Sequence, residues 1–281
     1  MTDFDKLFED YIKNWLESHK GEYTADEAEN MIPDLYEKFV TSPCKEAGGK
    51  TPEEFFGEVR DAAKLVSMFT ESCKEGGACS LLFDRMAEVP ECAALLYDLL
   101  EKETDPTVIA SAMDFLEDSG ADQPYLKYAE WLTETEKDES VVEKAAEILK
   151  EHPSEEIKNR LLNALDRATE EQKQIIADVL VRQGKDERTY ELLKELFLSG
   201  KNIPYIAGLI AKYGDERAAE FLYPALDDSN YLEFIEIRNA IETMGGVVDD
   251  TYRDFSDDEY YKAIKHLKYY HPYRRYVSDY K

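Results

Sequence analysis

Residues that build catalytic and metal sites are scarce in this sequence. It has four histidines and four cysteines among 281 residues. No CxxC pair occurs, so neither a zinc ribbon nor a thioredoxin-type redox pair is predicted, and we expect free thiols in a reducing compartment. Because GxGxxG, GxxxxGK(S/T), GxSxG and HExxH strings are also missing, we expect no cofactor, no metal and no catalytic residue. The cysteines are Cys44, Cys73, Cys79 and Cys92.

Long hydrophobic runs are missing as well. The longest apolar stretch without a charged residue, 203–211, is far too short to cross a bilayer. The first residues, Met1 to Asp5, lack the basic start and the apolar run of a secretion signal. We therefore expect no membrane segment and a cytoplasmic location.

Positive charge is in short supply. The chain has 62 acidic and 34 basic residues, which gives a net charge of −28. Nucleic acids bind proteins mainly through their phosphates, so a duplex DNA or RNA partner is not expected. A basic protein partner is compatible with this charge, although acidic helix faces that keep the protein soluble explain it more simply.

A repeated helical pattern fills the middle of the chain. Turn-like sites recur 30 to 32 residues apart, at Gly120, His152, Gly184, Gly214 and Gly245. A large aliphatic residue stands four positions before each turn, and a mostly small residue stands seven positions before it. Since positions three, four and seven apart share one helix face, the pattern predicts a buried stripe in five successive helices. The aliphatic residues are Leu116, Ile148, Leu180, Ile210 and Ile241.

The other helix of each unit has a pattern of its own. Leu-Leu-x-x-Leu strings begin at Leu95, Leu161 and Leu192, and a related string from Phe221 contains Pro224. Two such helices follow an Asp-Glu-Arg triplet, and the second helices are rich in small residues and end in glycine. In these strings the chain resembles the HEAT-repeat family, especially the short bacterial HEAT-like repeats of the PBS-lyase type. The resemblance implies an all-α fold: a right-handed α-α superhelix (solenoid) of stacked two-helix HEAT-like repeats.

The resemblance covers residues 90–245, which we interpret as five repeats. Residues 1–89 are predicted to form an N-terminal helical cap, because solenoids need atypical end units. Its helices are expected near 4–16 and 31–40, followed by one long helix from a capping box at Thr51 to Gly76–Gly77. Residues 246–281 are predicted to contain a capping helix, at about 256–270, and a basic, tyrosine-rich tail.

Known enzymes with this fold have features that this chain lacks. The di-iron hydroxylases carry repeated His-Glu pairs, whereas no histidine here precedes glutamate. The alkylpurine DNA glycosylases have a basic groove, and no residue here identifies the chromophore site of a bilin lyase. We therefore expect a non-catalytic scaffold that binds a protein or peptide along its concave face. The alternative is an enzyme of unrecognised type, a lyase or modification enzyme, with a site assembled across repeats.

A short basic row is the first candidate contact surface. Lys150, Arg182 and Lys212 each stand two positions before a turn, so they are expected on neighbouring second helices. In an acidic protein this local change of sign predicts a site for an acidic peptide. Alternatively, the basic residues only complement helix dipoles, and Asp178 forms an ordinary i,i+4 pair with Arg182.

The tail is the second candidate. From Tyr260 onward the chain has six basic residues and one acid, Asp279, together with seven tyrosines. This composition fits docking of the tail on the acidic solenoid, recognition of a protein partner, or stacking with single-stranded nucleic acid. The candidate binding residues are Tyr269, Tyr270, Arg274 and Arg275.

Overall fold

The structure, a computed structural model, describes residues 4–249 and 252–265. Regular structure in these residues is entirely helical, with seventeen α-helices, two short 3-10 helices and no strand. The all-α prediction is therefore confirmed. The described residues fall into two compact units: one reaches to Pro124 and includes Asp138–Val141, and the other contains Tyr125–Lys137 and the residues from Val142 on.

The first unit is built around one central helix. Its helices are α1 (Phe4–Ser18), α2 (Ala25–Asn30), α3 (Ile32–Val40), α4 (Pro52–Gly57), α5 (Ala62–Glu75), α6 (Ser80–Ala87), α7 (Glu91–Lys102) and α8 (Pro106–Asp118). Helix α5 packs against α6, α7 and α8. Leu65 and Phe69 of α5 are fully buried, so this helix supplies the middle of the apolar core.

The prediction of one long helix from Thr51 to Gly76–Gly77 is wrong, because this segment forms α4 and α5. The capping box at Thr51 is present, but α4 has only six residues. The Asp61 carboxylate then accepts hydrogen bonds from the amides of Ala63 and Lys64, at 3.0 and 3.4 Å. An aspartate that satisfies the first free amides of a helix favours a new start. The helical period continues through the break, so periodicity alone did not show it.

The second unit contains most of the predicted repeats. Its helices are α9 (Tyr125–Trp131), the larger part of α10 (Glu139–Glu151), α11 (Glu155–Ala164), α12 (Glu170–Leu180), α13 (Glu187–Leu198), α14 (Ile203–Tyr213), α15 (Ala219–Ala225), α16 (Tyr231–Thr243) and α17 (Glu259–Ile264). The 3-10 helices Leu165–Arg167 and Glu216–Ala218 precede α12 and α15. Helix α9 packs against α11, α13 packs against α12 and α14, and α14 also packs against α12 and α16.

The predicted helix ends and the predicted apolar stripe are both confirmed. Gly120, Gly184, Gly214 and Gly245 follow their helices with φ between 65° and 89°, the left-handed region that glycine adopts without strain. Each aliphatic residue four positions before a turn is buried. The capping helix predicted at about 256–270 begins at Glu259 and is described only as far as 265.

In two predicted repeats, a side chain near the end of the second helix bonds backbone groups at the start of the first helix, 27 or 29 residues earlier. The Gln183 side chain bonds the carbonyl of Leu149 and the amide of Ser154, the latter 29 residues away. The Tyr213 hydroxyl bonds both backbone groups of Asp186, 27 residues away. Each side chain satisfies backbone groups at the start of the first helix of its own repeat, where intrahelical partners are lacking. Gln183 also reaches the end of α10 in the preceding repeat.

Candidate partner-binding surface

Two lysines of the predicted basic row meet at Asp178 in the second unit. Lys150 of α10 donates hydrogen bonds to Asp178 of α12 at 2.9 Å and to Glu147 at 2.6 Å. The Lys212 ammonium of α14 lies 3.6 Å from the other oxygen of Asp178. Asp178 therefore links three helices that come from three successive predicted repeats, and we call these four side chains the ion cluster.

The members of the ion cluster differ in their exposure to water. The side chains of Lys150 and Asp178 are only 14% and 16% exposed, whereas that of Lys212 is 51% exposed. Burial lowers the pKa of the Lys150 ammonium, but its hydrogen bonds to Glu147 and Asp178 outweigh this effect, so the pKa is raised overall. Lys150 is thus charged at neutral pH and satisfied within the fold, while about half of the Lys212 side chain is exposed to solvent.

Tyr205 extends the ion cluster along α14. Burial raises the pKa of its phenol to about 12, and the negative charge of Asp178 adds to this shift. The residue stays 40% exposed. Tyr205 is therefore a neutral hydrogen-bonding group with an accessible aromatic face. The repeat pattern does not identify Tyr205, because the other predicted repeats have no tyrosine nine positions before the turn.

Arg182 does not join the ion cluster. Helix α12 ends at Leu180, and Arg182 lies exposed in the following turn. The predicted i,i+4 pair with Asp178 is therefore wrong, since the helix stops before the second partner. Across residues 4–249 and 252–265 the Arg182 guanidinium forms no ion pair. The other four candidates, Tyr269, Tyr270, Arg274 and Arg275, lie outside the described residues.

Gly208 lies between Tyr205 and Lys212 in the middle of α14. Its backbone is helical, so no unusual φ requires glycine here. A Cβ atom added at this position would meet no other heavy atom within 4 Å, so internal packing does not require glycine either. A glycine inside a helix costs about 1 kcal/mol relative to alanine. The fold itself thus gives no reason for the small residue.

One cleft of the second unit contains an arginine that is already paired. A cleft of about 690 Å³ lies between the two Asp-Glu-Arg triplets. Within it, Arg217 pairs with Glu187 at 3.0 Å and with Asp215 at 2.8 Å, and its guanidinium lies 4.0 Å from the ring centre of Tyr190. This arrangement ties one predicted repeat to the next.

Neither a metal site nor a membrane span is seen in the described residues. No group of three or more His, Cys, Asp and Glu side chains in this part of the chain could hold a metal ion. The helices described here are also too short or too polar to cross a bilayer. No family model, curated protein or solved structure matches the chain. The functional assignment therefore depends on the geometry of the chain itself.

Proposed function

We propose that this chain is a non-catalytic scaffold that binds a protein or peptide segment along the second helices of a HEAT-like solenoid. The second helices are α10, α12, α14 and α16, and the first helices of the same pairs are α9, α11, α13 and α15. Right-handed stacking of these pairs would place the second helices side by side. The contacts of α14 with α12 and α16, and the hydrogen bond of Gln183 to the Leu149 carbonyl of α10, support this arrangement.

Gly208 is the observation that carries the proposal. An intrinsically unfavourable residue whose surroundings are empty is explained if a partner approaches the helix closely at that point. Tyr205 and Lys212 flank the position and are both accessible. Together they offer an aromatic face, a neutral hydroxyl and a positive charge to whatever lies over Gly208.

The charge that a partner should carry follows from which side chains of this surface are already in ion pairs. Lys150 and Asp178 satisfy each other, so Lys212 and the exposed Arg182 are the cations left for a partner. These groups suit an acidic segment whose backbone passes over Gly208. The surrounding negative charge of the chain would select against segments that are acidic throughout, so we propose a peptide with a few acidic residues beside apolar ones.

The experiment separates binding from folding at Gly208. Gly208→Gln places a good helix former in the open position, so the free energy of unfolding in urea should rise by about 0.5 kcal/mol, while partner binding should be lost. Wild-type and variant chains serve as paired baits for affinity capture, and affinity for the purified partner is then measured by calorimetry. Glu191→Gln on the first helix α13, where Glu191 is exposed, is the matched control and should bind normally.

A second arm tests the charges. Lys212→Glu combined with Arg182→Glu should weaken binding by about tenfold or more, which corresponds to about 1.4 kcal/mol. Reversal of Lys150 is avoided because it would place a carboxylate against Asp178 and Glu147 and would perturb the fold. A partner that binds wild type, Gly208→Gln and the double reversal equally well would refute the proposed surface.

A further inference from the structure

Aromatic side chains form a connected cluster where the described chain ends. The ring centre of Tyr231 lies 5.1 Å from that of Phe255 and 6.3 Å from that of Tyr260. Phe234 in turn lies 4.9 Å from Phe255 and 6.1 Å from Tyr252. Tyr252 and Tyr260 remain 44% and 47% exposed, so the cluster has a buried centre and two open edges.

One acidic side chain contacts these tyrosines, and two more are close to them in the sequence. The Tyr252 hydroxyl donates a hydrogen bond to Asp227 at 2.8 Å, and Asp254 and Asp257 are exposed in the segment that leads to α17. Two cations lie nearby, but their hydrogen bonds go to backbone carbonyls: the Arg253 guanidinium donates to Leu226 and Ser229, and the Lys262 ammonium donates to Asp257. Neither forms an ion pair with these carboxylates in the described residues. We call this surface the terminal patch, which consists of Tyr252, Tyr260, Asp227, Asp254 and Asp257.

The chain's own terminal segment, residues 266–281, has the complementary chemistry. It contains four basic residues, one acid and five tyrosines. Arginine pairs with carboxylates through two parallel hydrogen bonds and stacks on tyrosine rings. The terminal patch offers both kinds of partner side by side, and Arg274 and Arg275 are adjacent in the sequence.

The covalent connection of residues 266–281 to α17 favours binding of this segment to the terminal patch over binding of a separate molecule. Asp258 caps α17 by accepting from the amide of Tyr261 at 2.9 Å and also accepts from the amide of Tyr231 in α16 at 3.1 Å. The start of α17 is thereby fixed beside the terminal patch, and Lys265 follows directly after this six-residue helix. Sixteen further residues reach at most about 50 Å, so the segment can return to the patch at an effective concentration of order millimolar.

We propose that residues 266–281 dock in cis on the terminal patch, with Arg274 and Arg275 paired to its carboxylates and the tyrosines of the segment packed against Tyr252 and Tyr260. The docked segment covers the exposed end of α16 and α17. This inference does not depend on the scaffold function, because it concerns an intramolecular contact at a different surface.

Limited trypsin digestion of the full chain tests the docking. Cleavage after Lys268, Arg274 and Arg275, followed by intact mass, should be slow at low salt. The triple variant Asp227→Asn, Asp254→Asn, Asp257→Asn removes the negative charge without adding a trypsin site. It should accelerate cleavage by about tenfold, the change expected for a loss of about 1.4 kcal/mol. Raising NaCl to 0.5 M should accelerate cleavage of the wild type in the same direction.

A matched triple variant controls for the net charge of the whole chain. Glu143→Gln, Glu151→Gln and Glu191→Gln neutralise three exposed acids elsewhere in the described chain and should leave cleavage unchanged. Circular dichroism checks that both triple variants keep their helix content. Equal cleavage rates in wild type and the patch variant would overturn the proposal. Protection that depends on protein concentration, with dimers in sedimentation, would also overturn it, because the segment would then dock on a second copy.

Discussion

Lys150 and Lys212 occupy equivalent positions in the sequence, two residues before a turn, but the fold uses them differently. The Lys150 ammonium lies between Asp178 and Glu147 and is largely shielded from water, whereas that of Lys212 lies at the edge of the same carboxylate and is half exposed. The energy of an ion pair depends on this shielding, because exposed pairs contribute little.

Removal of Lys150 should therefore lower the stability of the fold more than removal of Lys212. Lys150→Met leaves the largely buried Asp178 with only the more distant Lys212, and should lower the free energy of unfolding by about 1–3 kcal/mol. Lys212→Met should change it by less than about 0.5 kcal/mol. Urea titration followed by circular dichroism measures both values, with an unchanged m-value as the check on two-state unfolding. Equal losses in the two variants would contradict the role assigned to Lys150.

Tyr205 should titrate later than an ordinary tyrosine. Burial, and then the charge of Asp178, raises its pKa from 10 to about 12. Because the folded chain holds this proton more tightly than the unfolded chain, the resulting stability is present below pH 10 and is lost as the pH rises through about 12. NMR of ring-labelled tyrosine, assigned with Tyr205→Phe, follows the titration.

The Asp178→Asn variant separates the two causes of this shift. Without the carboxylate the pKa of Tyr205 should fall, but only part of the way, because burial is the larger cause. A Tyr205 resonance that titrates with the exposed tyrosines in wild type would contradict the geometry of the ion cluster. So would a resonance that does not respond to Asp178→Asn.

Sequence patterns predicted part of this site, and the reason for the limit is physical. Lys150, Lys212 and Asp178 could be placed on one surface because a helical period and the turn spacing fix their positions relative to the helix ends. Arg182 could not be placed, because whether a helix stops one or two residues earlier depends on its capping geometry. The open position at Gly208 could not be predicted either, since it depends on what neighbouring helices leave unfilled.

Helices and turns were predictable where a residue type or a periodic pattern marks them, and not where capping alone sets a boundary. Glycine turns such as Gly184 and Gly214 were predictable, because few other residues adopt their positive φ without strain. The break between α4 and α5 was missed, because Asp61 begins a helix without interrupting the apolar period. Helix α6 was missed too, since its eight residues are too short for periodicity to identify.

The two hydrogen bonds of Gln183 to backbone groups, which we call the Gln183 clamp, should stabilise the fold more than the exposed hydrogen bond of Gln174. Gln183 is only 4% exposed and bonds the end of α10 and the start of α11. Gln183→Ala leaves these backbone groups unsatisfied and should lower the free energy of unfolding by about 1–3 kcal/mol. Gln174, which bonds Asn202 at 3.0 Å on the exposed side of α12, is the matched control.

Gln174→Ala should lower the free energy of unfolding by less than about 0.5 kcal/mol, because water replaces an exposed hydrogen bond. Both variants are compared by urea unfolding under one set of conditions. If Gln183→Ala is as mild as the control, the backbone groups that it leaves free must find other partners. The clamp would then not be the contact that holds consecutive helix pairs together.

At the scale of the whole molecule, the repeat pattern and the compact units divide the chain at different places. The repeat spacing assigns α7 and α8 to the first of five repeats, whereas these helices cluster with the first unit. Their contacts with α5 explain this, since α5 lies before the predicted repeats. Turn spacing records where helices end, but not which neighbours they pack against, so the boundaries at 89 and 245 remain predictions.

Net charge is the property of the whole molecule that should control its salt dependence. A chain with a net charge of −28 repels itself in the compact state more than in the expanded unfolded state. Salt shortens the range of this repulsion from about 30 Å at 0.01 M to about 8 Å at 0.15 M. The melting temperature should therefore rise between 10 and 300 mM NaCl, by the few degrees that about 1 kcal/mol produces in a chain of this size.

A chain that ends at Lys265 sharpens this test. It lacks four basic residues and one acid, so its net charge is three units more negative than that of the full chain. If self-repulsion dominates, the rise in melting temperature with NaCl should be larger in the shortened chain. If exposed ion pairs such as Arg217–Glu187 dominate instead, both chains should lose stability as salt screens those pairs. Scanning calorimetry at both salt concentrations distinguishes the two cases, because the sign of the shift differs between them.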